Sequence, residues 1–543
     1  MIKYLLRRLL SGLFSVICVV IIVMTLIYSL LDRNQIFNGD PIYTKQKQNN
    51  SKKEYYYQKL AEYGYVYSIS FTDYMATLYK EGQVTEEEKK AALELGKEKG
   101  DSENYYIAES DSETVKKYLK DFVELYQSQG YTIERYKAVY RTSKKLADGG
   151  KPYIVAYKDI PLIRRILKYF PSVISIDNIH NAAGVADEDR GITFTLHDPV
   201  YGGEKFSPAI MGNGTTYKYL VYFDDSFPFI HQNLIKLKLG TSYSIKTGTD
   251  IWDYMLGTQG ATVIKSVTYP SGNVFETSDD LHTLKYLEGS LENSNKIYPG
   301  RFIDDYTLVS SYKNGSSRMG YSFVLGIIST IIAYILGIPI GIVLALNKDK
   351  FLDKLGAVYI IFIIAVPSLA YIFMFREIGK VLFGLPTSFY TDEVHIAQYG
   401  KVAMYVLPIV SLALPSIAGL MKWLRRYMID QMNSDYVKFA RSGGLSEGEI
   451  FTNHIAKNAL IPIVHGVPGA IVSGLWGAIV TERLYSVPGV GNILTVAINV
   501  NDNSVIVGLT LFYSMISVIA IILGDILMAL VDPRISFTTK GGR

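Results

Sequence analysis

Crossing a bilayer as a helix takes about 20 consecutive apolar residues, and residues 9–31 carry no charge at all. The next comparable run begins only at residue 319. Residues 319–346, 355–375, 402–421, 459–480 and 505–531 then follow closely, the last interrupted only by Asp525. Lys3, Arg7 and Arg8 precede the first run, as they would in a signal peptide. That run is too long for a signal peptide, however, and no small-residue cleavage pattern follows it, so it reads as a retained anchor. Six spans return the chain to its starting side.

The loops set the orientation. Lys348, Lys350 and Lys354 lie between spans 2 and 3; Lys422, Arg425, Arg426, Lys438, Arg441 and Lys457 lie between spans 4 and 5; Arg534, Lys540 and Arg543 end the chain. Basic residues concentrate on the cytoplasmic side of membrane proteins, which predicts cytoplasmic N- and C-termini and an extracytoplasmic segment 32–318. That segment holds 36 of the 55 basic, 38 of the 51 acidic and 30 of the 43 tyrosine residues. The modest overall charge of +4 is therefore +6 on the membrane part and −2 on the insertion.

Composition narrows the function. A chain 49% hydrophobic and 20% charged is not disordered, and its mean hydropathy of +0.15 averages two regimes. Cys18 is the single cysteine, which excludes an internal disulfide and any cysteine-based metal site. The seven histidines show no metal-ligand spacing. No basic run interleaved with aromatics points to nucleic acid. There is no G-x-S-x-G and no G-x-x-x-x-G-K-[ST]. No residue is assigned as catalytic or metal-binding and no cofactor is expected, so any ATP that drives this chain must be bound by another.

The insertion reads as an α+β domain. Residues 85–99 and 112–127 have helical periodicity, Val115, Tyr118, Leu119, Phe122 and Tyr126 recurring on one face, and 153–157 and 191–196 look like strands. Residues 160–170 (IPLIRRILKYF) combine an apolar face with Arg164, Arg165 and Lys168. Such a helix either lies in the outer membrane interface or packs on the domain.

Residues 435–458 (DYVKFARSGGLSEGEIFTNHIAKN) read as a short helix, a break at Gly443–Gly444 and a second helix. Ser446 and Glu449 have capping-box spacing, and paired glycines accept the positive φ of a sharp turn. A short helical hairpin held just below the membrane makes a projecting knob suited to docking, with an ordinary amphipathic loop as the alternative.

This segment resembles the EAA-type coupling loop of ABC importer permeases, in the oligopeptide and dipeptide variant D-Y-V-x-x-A-R-x-x-G-L-S-E. Asp435, Tyr436, Val437, Ala440, Arg441, Gly444, Leu445, Ser446 and Glu447 match it, while Lys438, Phe439 and Gly443 depart from the general motif. His454, Asn458, Ala459, Leu460 and Pro462 fit the continuation H-x-x-x-N-A-L-x-P. Residues 482–491 (ERLYSVPGVG) are similar to E-x-x-F-x-x-P-G-x-G, with Glu482, Pro488, Gly489 and Gly491 matching and Tyr485 in place of Phe. Asp525 followed by Asp532, Pro533 and Arg534 resembles D-x-x-x-x-x-x-D-P-R. A carboxylate near the end of a span should be paired or hydrated. Residues 4–10, 39–41 and 239–243 (LGTSY) resemble the front half of the OppB type, and the long insertion looks like the enlarged Gram-positive branch.

The resemblance implies an α-helical membrane protein of type I ABC importer permease fold, with six transmembrane helices and a large α+β extracytoplasmic domain between helices 1 and 2. Its parts are 1–31, 32–318 and 319–543, the last containing a cytoplasmic coupling loop at 422–458. The implied role is that of a non-catalytic permease subunit of an oligopeptide importer in the plasma membrane. The implied partners are a second homologous permease, two cytoplasmic ATPases, an extracytoplasmic peptide-binding lipoprotein and membrane lipid. Asp435, Ala440, Arg441, Gly443, Gly444, Leu445, Ser446, Glu447 and Glu449 would couple to the ATPases. Glu482, Pro488, Gly489, Gly491, Asp525, Asp532, Pro533 and Arg534 would serve the translocation path or its framework. A dipeptide or nickel permease, an ion-coupled transporter and a membrane-anchored sensor or adhesin are the alternatives.

Overall fold

The computed structural model describes residues 2–531 apart from 46–48, 92–112, 137–152, 199–202, 224–228, 244–248, 258, 260–264, 269–273, 278, 287–305 and 312–315. Four helices in it are long and apolar enough to cross a membrane: Ile2–Leu30, Arg318–Leu346, Lys401–Met432 and Asn503–Val531. They correspond to the first, second, fourth and sixth apolar runs of the sequence.

The third run, 355–375, is not a straight span. It divides into Phe351–Ala365 and Ser368–Phe383, bent by 113°. The cause is Pro367: the residue before a proline is driven out of the α region, and Val366 is extended at φ −84°, ψ 128°. The fifth run is likewise shared by two helices, Lys457–His465 and Val467–Tyr485, which meet at Gly466.

Small residues draw the long helices together. A Cβ on Gly337 would lie 2.9 Å from Leu420 Cβ, and one on Gly341 would lie 3.2 Å from Leu424 Cβ, so Arg318–Leu346 packs tightly along Lys401–Met432. An ion pair fastens the same region. Asp353, buried at the start of Phe351–Ala365, accepts two hydrogen bonds from Arg425, from Nε (2.5 Å) and Nη2 (2.6 Å). The first helix packs Val16, Val20, Met24 and Ile27 into one cluster with Val505, Leu509, Phe512 and Tyr513 of the last.

Within residues 32–318, strands β1 (Val66–Ser70), β2 (Thr132–Tyr136) and β3 (Tyr153–Asp159) form an antiparallel sheet in the order β1-β3-β2. Side chains alternate across a strand, and β3 uses both faces. Ile154 and Ala156 meet Phe71, Met75, Leu119 and Phe122 of the helices Phe71–Lys80 and Glu113–Ser128. Val155 and Tyr157 meet a tyrosine-rich core with Phe37, Tyr55, Tyr65 and Tyr136. The expected helix at 112–127 and strands at 153–157 and 191–196 are therefore present. Of the one expected at 85–99, Glu86–Ala91 is helical, Thr85 precedes it, and 92–99 lie outside the described residues.

A second unit follows. Strand β4 (Ile174–Ile176) comes first, then the four-stranded meander β5 (Gly191–Thr195), β6 (Ala209–Asn213), β7 (Tyr219–Phe223) and β8 (Ile230–Gln232). Strand β9 (Ile235–Leu237) returns to pair antiparallel with β4. Buried Asp198 ties this unit together, accepting from Tyr219 Oη (2.9 Å) and lying 2.8 Å from His282 Nε2.

Residues 239–243 join the insertion to the membrane helices. Ser242 Oγ and the Tyr243 amide both donate to Asp502 Oδ2, at 2.9 and 2.7 Å, just ahead of the last long helix. Asn503 Nδ2 adds a bond to Tyr65 Oη at 2.9 Å, and Tyr243 stacks on Tyr63 with centroids 4.0 Å apart. The short L-G-T-S-Y element is thus a strap across the junction.

Candidate functional site: an exposed hairpin and a buried clasp

The hairpin grows from the end of Lys401–Met432. Helix Asp435–Ser442 stops at the glycine pair, and only Gly444 takes the left-handed conformation, at φ +85°. Gly443 stays near helical at φ −76°. Sequence reasoning placed the break correctly but did not separate the two glycines. Ser446 then caps Glu447–Ile450 through the expected box: the Glu449 amide donates to Ser446 Oγ (3.3 Å) and the Ser446 amide donates to Glu449 Oε2 (2.9 Å). The chain continues through a π-helical turn, Phe451–Ala456, into Lys457–His465.

Arg441 closes the hairpin with a bidentate pair, Nε and Nη2 donating to the two carboxylate oxygens of Glu447 at 2.5 and 3.0 Å. That hydrogen bonding holds Glu447 below the ordinary carboxylate range and Arg441 above its own usual value. Hydrogen bonds from the Ser446 side chain and backbone lower Glu449 in the same way, and Lys438 lowers Asp435.

One side of the hairpin is rooted in the protein. Val437, Ile450 and Ile455 are buried with Ala345, Leu424, Met428, Ala459 and Ile463 from three neighbouring helices. Tyr436 spans the base, donating to Gln431 Oε1 (2.6 Å) and to the His454 carbonyl (3.4 Å) while accepting from Asn458 Nδ2 (3.1 Å). Among the described residues, none covers the other side. Residues 441–449 are all exposed, and Phe439, 77% exposed, stands beside them with Leu445. Asp435 is exposed and Ala440 half-buried.

The second motif is buried. Glu482, with no exposed surface, accepts from Ser322 Oγ (2.5 Å) and from the Asn492 amide (3.1 Å). Ser322 Oγ in turn accepts from the Val490 amide at 2.9 Å. Gly489 sits against the Glu482 carboxylate so closely that a Cβ there would overlap it, and a Cβ on Gly491 would come within 2.9 Å of Ile479 Cα. Half-buried Pro488 lies in the turn, and Tyr485 Oη lies 3.0 Å from Ser411 Oγ. Glu482 thereby clasps Val467–Tyr485, Val490–Asn499 and Arg318–Leu346 together.

Asp525 is paired, as expected of a carboxylate in a span. Its Oδ2 lies 3.1 Å from Arg8 Nε and accepts from Tyr4 Oη at 3.1 Å, locking the start of the first helix to the end of the last. Asp532, Pro533 and Arg534 lie outside the described residues. Sequence reasoning missed Ser322, Asp353 and Asp502. Asp353 and Asp502 are carboxylates at the edges of apolar runs, which is a weak signal for burial; Ser322 gives none. Among the described residues, no group of three or more His, Cys, Asp or Glu could hold a metal ion.

Residues 337–537 match the model of the binding-protein-dependent transport system inner membrane component. The chain is 32% identical over 543 residues to the oligopeptide transport system permease protein AmiC of Streptococcus pneumoniae, covering 100% of both chains. It is 31% identical over 221 residues to the dipeptide transport system permease protein DppB of Bacillus subtilis, covering 40% of this chain and 69% of that one. A similar match, 27% over 224 residues, covers 41% of this chain and 71% of the oligopeptide permease protein OppB of Haemophilus influenzae. The AmiC match thus includes the insertion that the other two alignments are too short to span. The chain belongs to the family of binding-protein-dependent transport system inner membrane components.

Proposed function

We propose that this chain is the permease subunit of an ATP-driven oligopeptide importer, with its exposed hairpin as the seat of a cytoplasmic ATPase. The full-length match to AmiC carries the substrate class. Six spans would place 32–318 outside and both termini inside, the bent pair 351–383 and the joined pair 457–485 each counting as one. A second permease would complete the pathway, two ATPases would bind the ATP, and a peptide-binding lipoprotein would deliver cargo to the insertion.

The hairpin is well built for transmission. Its helices are short, the second is held by a capping box, its turn is closed by the Arg441–Glu447 pair, and its root is buried among three helices. Force applied at Phe439 or at 441–449 therefore reaches Lys401–Met432 and Lys457–His465 without being lost in a flexible loop. The permease does no covalent chemistry. Nucleotide-dependent docking favours one arrangement of the spans over the other, and only such differential binding can shift that equilibrium.

The test is uptake of a labelled oligopeptide by the reconstituted complex. Proline at 444 cannot adopt φ +85°, so Gly444→Pro should abolish peptide-stimulated ATP turnover and uptake while the complex still assembles in the membrane. Arg441→Glu, which sets two acids against each other, should do the same. Wild-type uptake by both variants would remove the coupling role from this hairpin.

A further inference from the structure

Helix Leu162–Ser172 has one face committed to the protein and one left over. Ile166, Tyr169 and Phe170 pack on the cluster that contains Val20, Met24 and Ile27 of the first helix. The Arg165 guanidinium lies 3.8 Å from the ring centroids of both Tyr28 and Tyr65. These contacts fix the helix at the end of Ile2–Leu30 away from its basic N-terminus, level with the end of the hydrocarbon run. The first helix leaves Leu26 and Leu30 exposed at that same end.

The free face carries Ile163 and Leu167, four residues apart and each 67% exposed. Arg164 and Lys168 follow them one residue on, both exposed. The nearby Tyr67 hydroxyl raises the pKa of Arg164 yet leaves its guanidinium in the open. Scattered exposed leucines are ordinary on a soluble surface. Two such residues on one helix face, alternating with cations and abutting a membrane span, are the pattern of a helix lying in the interface plane.

We propose that Leu162–Ser172 is an interfacial helix, with Ile163 and Leu167 in the acyl boundary of the bilayer and Arg164 and Lys168 on anionic lipid headgroups. The two sequence readings of this segment then hold on opposite faces of one helix. Lipid is the occupant for two reasons: the apolar face continues the bare surface of the first span, and cationic side chains complement lipid phosphates. The insertion is thereby seated on the membrane surface beside its own anchor. The idea is independent of the transport reading, since its readout is depth in the bilayer and not uptake.

The experiment uses the full-length chain in its assembled complex, with Cys18→Ser removing the single native thiol. The complex is reconstituted into vesicles of phosphatidylcholine with or without phosphatidylglycerol. Nitroxides are placed at Ile163→Cys and Leu167→Cys, with Leu26→Cys in the span and exposed Asp187→Cys as references. At 163 and 167, collisions with oxygen should exceed those with an aqueous nickel chelate several-fold, as at 26, and the reverse should hold at 187. Preferential quenching by the chelate would make the face a free aqueous surface and overturn the proposal. Silence to both quenchers would mean that protein covers the face, and would also overturn it. Adding phosphatidylglycerol should deepen both labels, and the double variant Arg164→Gln, Lys168→Gln should lose that response. A response that survives the double variant would overturn the headgroup assignment.

Discussion

The hairpin at 435–450 and the clasp around Glu482 are made of the same materials, glutamates, glycines and a hydroxyl side chain, and are used in opposite ways. In the hairpin, Glu447 and Glu449 are exposed and bond to residues three to six positions away. In the clasp, Glu482 is fully buried and reaches Ser322, 160 residues away in sequence. A carboxylate in water gains little from its partner. A buried one cannot lose its partners without leaving polar groups unsatisfied. One glutamate motif therefore shapes an exposed surface, and the other holds helices in register.

The largest expected effect breaks that comparison from the buried side. Glu482→Ala strips the acceptor from Ser322 Oγ and the Asn492 amide, which should cost about 2–5 kcal/mol and lower the thermal midpoint of the detergent-solubilised complex. An unchanged midpoint would mean that the clasp is no more structural than the hairpin. Next comes Asp353→Ala, which orphans the bidentate side of Arg425. That group is partly hydrated, at 31% side-chain exposure, so a loss of about 1–3 kcal/mol is expected in the same melting experiment.

On the exposed side the effects should shift from stability to coupling. Gly444→Ala forces a Cβ into the left-handed region at a local cost of about 1–2 kcal/mol. Uptake should fall more than the melting midpoint does, and Gly444→Asn should recover part of it. Arg441→Ala should leave the midpoint within error and still reduce peptide-stimulated ATP turnover. A melting loss there as large as that of Glu482→Ala would erase the distinction between the two motifs.

Acid titration gives the smallest and most local signal. Glu447 and Glu449 are depressed in the folded hairpin, so the folded hairpin binds fewer protons than the unfolded one. Its stabilisation is present above the ordinary glutamate range and is lost as pH falls through the lowered values. Amide protection factors at 444–449, corrected for the intrinsic exchange rate at each pH, should fall under acid before those of the β1-β3-β2 sheet of the insertion do.

Much of this was legible in the chain because it depends on short spacings. Uncharged runs marked the long helices, a Ser three residues before a Glu marked the cap at 446, and a glycine pair marked the turn. Pro367 lay in plain view inside the third run, but a 113° bend rather than a mild kink depends on what the second half packs against. The split of residues 162–172 into a packed face and a bare one was equally undecidable from periodicity, because both environments favour the same amphipathic pattern.

The sequence alone determined the apolar runs, their charge asymmetry, the capped hairpin and the family, since each follows from residues within a few helical turns of one another. Only the tertiary structure chose the long-range partners. Among them are Ser322 for Glu482, Arg425 for Asp353, Ser242 and Tyr243 for Asp502, and Arg8 for Asp525. A buried carboxylate must find a donor, but many donors satisfy that rule, and the packing of distant helices decides which one arrives.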